Sequence, residues 1–367
     1  MTASANNSAG SGRGRYDGLD LFRPLSAFGV VLIHLPRLFD VASAPAFAVV
    51  IRLRDGAFPI IILTSFFVIT RSLLANPGRT FAQFASNRFM RLAVPCVVWS
   101  ALYWLAWEVV GPLRHGQPAS WPPPSRVLSG YAHLWFLQFL FLGSIITYPA
   151  VRIVVRQMRA TRGAAWIWPA ACLAAAAGYW MWGRPFLAAH VAAAWDDQDD
   201  PSLRVAIRQC IAYAKYPVLG IAAALMAGTI DAWYRRPAFK AATLVVAAAA
   251  CALHVTAVAP VVSRACYSMA VFIALLRPWP PGVLDWLRPM ARYSYPIYIL
   301  HPAVAKVVAS VLPWWSVRPS IAGLLAGGVA VFTLSGAAAV LLRSVVRVEW
   351  FLPLVPVRER RARAGLQ

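Results

Sequence analysis

The apolar stretch DGLDLFRPLSAFGVVLIHLPRLF carries two ionisable side chains eleven residues apart, Arg23 and His34. At 3.6 residues per turn this is about three turns, so both lie on one helical stripe, roughly 16 Å apart along the axis. A neutral imidazole takes and returns a proton near neutral pH, which suits His34 to general-base work. A packed histidine bonded to a neighbouring carbonyl is the plainer alternative, and the arginine on the same stripe favours chemistry over it. Further along, FASNRFMRLAVP sets Arg88 and Arg91 three residues apart, on one helix face. Two guanidinium forks side by side can grip phosphate in bidentate fashion. The same pair would also serve as cytoplasmic anchors. In RYSYPIYILHPAVAK, Tyr298 and His301 are also three residues apart, and His301 falls in mid-span. His301 is thus a second acid/base or hydrogen-bonding candidate, or one half of a satisfied helix–helix contact. His133 and Trp135, opening HLWFLQFLFL, read as interfacial anchors. Glu108 and Asp231 read as boundary residues, and His190 and His254 have no partner close in sequence.

Side chains of this kind need an apolar scaffold to hold them, and the composition supplies it. Of 367 residues, 60% are hydrophobic and only 13% are charged. Soluble domains reach about 45–50% apolar with glycine included. Disorder and an ordinary soluble globule are excluded. The class that remains is an all-α, polytopic membrane protein. Stretches of about 20 apolar residues occur at 19–39, 57–75, 92–110, 133–154, 164–182, 209–230, 238–257, 263–277, 290–312 and 319–343. They predict about ten transmembrane helices. Residues 1–15 read as a disordered cytoplasmic tail, 16–352 as the membrane domain and 353–367 as a basic cytoplasmic tail.

The net charge of +22 is scattered in small groups between the apolar runs, not gathered on one stripe. It therefore encodes topology and not nucleic-acid binding. With the N-terminus inside, the inner segments hold more than twice as many Lys and Arg as the outer ones, which puts both termini in the cytoplasm. The longest outer loop carries Asp196, Asp197, Asp199 and Asp200 without a His or Cys to complete a ligand set, so it reads as solvated, with no metal. The five cysteines show no metal spacing and read as packing residues. Phosphate-binding Gly-rich loops, HExxH and GxSxG are absent.

Taken in order, these motifs resemble membrane acyltransferase family 3. YDGLDLFRPLSAFGVVLIH is similar to the family's first helix, with Arg, ten residues, then His, here Arg23 and His34. AFPIIILTSFFVITRSLL resembles the second helix, with Ile69-Thr70 where the family usually has Ser-Gly. FASNRFMRLAVP matches its Arg-x-x-Arg motif, HLWFLQFLF and YSYPIYILHP two further hallmarks, and VVRVEWFLPL a closing motif that places Glu349. The resemblance covers residues 16 to 352. It implies transfer of an acyl group, most often acetyl, from cytoplasmic acyl-CoA to a hydroxyl of a surface or exported polysaccharide or its lipid-linked precursor. The setting would be a bacterial inner membrane. Arg88 and Arg91 would hold CoA phosphates at the inner face, and Arg23 would assist there or steady the thioester end. His34 would deprotonate the acceptor or carry the acyl group. Tyr298, His301 and Glu349 would support the acceptor path. Acyl-CoA enters as a substrate, with no permanently bound cofactor, and the partners are membrane lipid and the glycan acceptor. A transporter or flippase of an anionic or lipid-linked sugar would use the same buried His and Arg. The paired repeats of spans common in transporters are not visible in the sequence.

Overall fold

The computed structural model describes residues 16–39, 52, 55–119, 127–128, 130–131, 133–160, 166–192, 201–256, 260–278, 287–311, 321–346 and 351–353. The tail expected at 1–15, the acidic run Asp196 to Asp200, Glu349 and all of the C-terminal tail beyond Pro353 lie outside the described residues. The described chain is helical, with no strand among those residues. Helix α1 is Asp17–Phe39 and α2 is Ala57–Ala75. After a Pro77-Gly78 turn, Thr80 caps α3, Phe81–Arg114, through reciprocal bonds with Gln83. Two π-helical stretches, Phe89–Ala93 and Leu105–Val110, interrupt α3. There follow α4 (Trp135–Ala160), α5 (Ile167–Gly178), α6 (Pro201–Tyr213), α7 (Lys215–Leu225), α8 (Ala227–Trp233), α9 (Pro237–Thr256), α10 (Pro260–Leu275), α11 (Leu287–Val311) and α12 (Ile321–Val345).

Among the described residues, six helices are long and apolar enough to cross a membrane, and a seventh is added if α6–α7 and α8, bent by 64° to each other, form one span. The other three expected segments fall on less typical helices. In α5, twelve residues are prolonged by π turns. Helix α10 is short. Helix α11 carries Pro296 and Pro302 along with Arg292, His301 and Lys306.

The distribution of polarity is that of a membrane bundle. Ile146, Val245, Leu341 and Val345 face outward, largely exposed, while Thr64, Thr70, His133, Lys215, Ser294 and His301 are buried. Apolar surface outside and polar groups inside is the arrangement a lipid solvent favours. The core places α1 against α11 and α12, and α2 against α7. The α2–α7 contact depends on a missing side chain: a Cβ on Gly220 would lie 2.6 Å from the Leu63 carbonyl oxygen. Backbone cannot yield as a flexible side chain can. Gly220→Ala is therefore expected to destabilise the bundle by about 1–3 kcal/mol, read as a lowered thermal midpoint of the protein in detergent. An unchanged midpoint would mean the two helices separate at little cost.

Candidate functional site

Three helices bring three histidines together. His34 comes from the C-terminal half of α1, His301 from the middle of α11, and His133 from the turn that precedes α4. The ring centroids are 5.1 Å apart for His34 and His301, 5.0 Å for His133 and His301, and 5.8 Å for His34 and His133. His133 is 2% exposed and His301 fully buried, whereas His34 is half-buried. The His133 turn is built by Gly130, whose φ of +92° is a region that L side chains rarely adopt; a Cβ there would also sit 2.4 Å from the Trp135 nitrogen.

One carbonyl organises two of these rings. In an α-helix the Tyr298 carbonyl would accept the N–H of residue 302, but that residue is proline and has none. The oxygen is bonded instead by His133 Nε2 at 3.1 Å and His301 Nδ1 at 2.7 Å. A carbonyl only accepts, so both nitrogens must carry the proton. The opposite nitrogens, His133 Nδ1 and His301 Nε2, are then lone-pair acceptors. Both are buried and have no hydrogen-bond partner among the described residues. The Tyr298 hydroxyl closes the clasp by donating to the His133 carbonyl. Tyr103 of α3 adds a wall, its ring 5.7 Å from His133 and its hydroxyl donating to the Ile299 carbonyl. Trp107 stacks on Tyr103 at 4.6 Å, and Lys306 Nζ sits 4.0 Å from the Trp107 ring centre. The Tyr131 hydroxyl donates to Glu108.

A contrast marks this cluster out. His254, also buried, has both nitrogens engaged, with Ser263 at 3.0 Å and the Arg52 carbonyl at 2.9 Å, and it stacks on Tyr267. It is a satisfied packing residue. His190 stacks on Phe186 at an exposed helix end.

The arginines group apart from the histidines. Arg88 is half-buried, its guanidinium carbon 5.4 Å from the centre of the buried Phe84 ring, and Arg79 lies 5.3 Å from the same ring. Arg91 is exposed. The two arginines of the motif are thus unequal, and Arg91 stands in a π-helical stretch, not on the regular α face that the spacing implied. The N–H that would reach the Arg91 carbonyl in an α-helix belongs to Pro95, so again there is none. That carbonyl accepts from the Tyr295 hydroxyl at 2.9 Å. Helix α11 thereby touches both groups: Tyr295 meets Arg91, and Tyr298 and His301 meet the other histidines. Six residues separate Tyr295 from His301, a rise of about 9 Å. A cavity of about 720 Å³ opens beside Arg79, lined by Asn76, Pro77, Gln83 and Asn87 among others.

Arg23 lies about three turns below His34 on α1 and forms an ion pair with Asp20, 2.9 Å away. Asp231 accepts a hydrogen bond from Tyr16. Glu349 is outside the described residues, although nearby Phe351 offers its carbonyl to the Trp99 indole at 2.8 Å. The structure brings the candidates His34, Tyr298 and His301 near one another and adds His133, which the sequence reads as an interfacial anchor. Among the described residues, no group of three or more His, Cys, Asp and Glu is arranged to hold a metal ion.

A family model described as an acyltransferase domain matches residues 16–340. A search of curated proteins finds no match, and a search of solved structures finds none.

Proposed function

Because the chain belongs to membrane acyltransferase family 3, we propose that it transfers an acyl group, most often acetyl, from cytoplasmic acyl-CoA to a hydroxyl of an exported or surface polysaccharide or its lipid-linked precursor. The observation that carries this reading is the buried polar cluster of His34, His133 and His301, tied along α11 to the level of Arg91. The chain would cross a bacterial inner membrane about ten times, with both termini in the cytoplasm. Arg88 and Arg91 would hold the CoA phosphates by charge-assisted forks, and the pantetheine arm would carry the thioester inward. His34, the half-buried member of the cluster, would take the proton of the acceptor hydroxyl as its oxygen attacks the thioester carbonyl. The carbon–sulfur bond breaks, and the proton passes to the departing CoA thiolate. In a two-step variant of the same chemistry, His34 would carry the acyl group before passing it on. Tyr298 and His301 would line the acceptor path, with Arg23 and Glu349 in support. No permanently bound cofactor is called for.

The test gives membranes containing the protein acetyl-CoA labelled on the acetyl group and follows label into total surface carbohydrate. Label above that of membranes lacking the protein is the expected result. No label despite abundant protein, or movement of a sugar solute by purified protein without acyl-CoA, would overturn the reading in favour of transport.

A further inference from the structure

We propose that His133 Nδ1 and His301 Nε2 form a two-point binding subsite for two hydroxyl groups of the acceptor sugar. The inference rests on the acyltransferase reading of the same cluster and goes beyond it in naming what the site recognises. With both imidazole N–H groups committed to the Tyr298 carbonyl, the nitrogens left over can only accept. A buried polar atom without a partner is costly, and two of them, on rings whose centroids are 5.0 Å apart, are a preformed demand for a ligand. The demand is specific in sign. Two lone pairs repel a carboxylate or phosphate and attract O–H donors. Two acceptors on neighbouring rings favour a sugar with more than one hydroxyl over a simple alcohol. His34, the third ring, lies within 5.1–5.8 Å of both, so a sugar held by two hydroxyls would present a further one to the base. Pro302 is the positioning residue, because its missing N–H leaves the Tyr298 carbonyl open to both rings.

The variants that test this keep the donor and remove the acceptor. In His133→Gln the side-chain amide can still donate to the Tyr298 carbonyl from the Nε2 position, and in His301→Asn from the Nδ1 position, but neither offers the second nitrogen. Two readouts are combined. In ¹⁵N-histidine-labelled full-length protein in nanodiscs, assigned with the single variants, His133 is expected protonated at Nε2 and His301 at Nδ1. In membranes with equal protein levels, each variant is expected to lower the rate of label transfer to surface carbohydrate about tenfold or more, the effect of an unmade buried hydrogen bond. The opposite tautomer at either ring overturns the proposal, and so does a variant that transfers label at the wild-type rate. A wild-type protein that transfers no acyl group overturns the acyltransferase reading and the subsite with it, and the wild-type control tells that outcome apart from the others.

Discussion

Membranes carrying His34→Ala are expected to transfer acyl groups about 10²- to 10⁴-fold more slowly than wild type, the span that a positioned general base contributes. The geometry separates His34 from its two neighbours. His133 and His301 are buried and held by the Tyr298 carbonyl, each through one ring nitrogen. His34 keeps part of its surface open, as a base that must meet a substrate requires. Its helix does not depend on the imidazole for packing, because Val30, Val31 and Leu35 are buried around it, so the variant should reach the membrane at the wild-type level. The measurement is the initial rate of label transfer at matched protein abundance. A rate within about threefold of wild type would remove His34 from the chemistry, since general-base contributions are not that small. Acid quenching during turnover separates the two forms of the step: label retained on wild-type protein and absent from His34→Ala identifies an acyl carrier, and its absence from both leaves the base.

The parts of this site that were legible in the sequence are those set by local spacing. Arg23 and His34 share a stripe because 11 residues are close to three helical turns, and Tyr298 and His301 are neighbours because both sit on one helix at i, i+3. Asp20, the partner of Arg23, was also within that local window, three residues earlier. His133 was not legible. Its place depends on the Gly130 turn and on the packing of α4 against α11, across 165 residues of chain. Nothing in HLWF distinguishes a histidine at the membrane interface from one turned into the bundle. The nearest signal lay elsewhere, in Pro302 standing four residues after Tyr298, which frees a carbonyl that some distant donor must satisfy. The same device recurs at Pro95, whose missing N–H leaves the Arg91 carbonyl to Tyr295. Fold class followed from composition alone, whereas the count of spans blurred where function intrudes. Helix α11 carries two prolines, a histidine and a lysine through the bundle, so the helix that organises the site is the one that least resembles an ordinary span.

Arg88→Ala is expected to raise the KM for acetyl-CoA about 10- to 100-fold, the worth of one or two hydrogen bonds to a charged group, with a smaller effect on kcat. Binding that is equal in ground and transition states moves KM alone. Arg88 should matter more than Arg91. Its guanidinium lies over the buried Phe84 ring and is half-shielded from solvent, while Arg91 is exposed. An exposed charge is screened by salt and contributes little. The KM of Arg91→Ala should accordingly lie closer to wild type, and the gap between Arg91→Ala and wild type should narrow as salt is raised. Arg88→Lys keeps the charge and the stem but loses the planar fork, so it should recover only part of the affinity if the contact is bidentate. Acetyl-dephospho-CoA supplies the decisive comparison. If Arg88 holds the 3′-phosphate, removing that phosphate raises KM for wild type and has little further effect on Arg88→Ala, because the two changes delete the same contact. Fully additive losses would place Arg88 on the pyrophosphate instead. A KM unchanged by Arg88→Ala would leave the arginine as an anchor at the membrane boundary, stacked on Phe84 for stability alone, and the donor's phosphates would have to be sought beside Arg79.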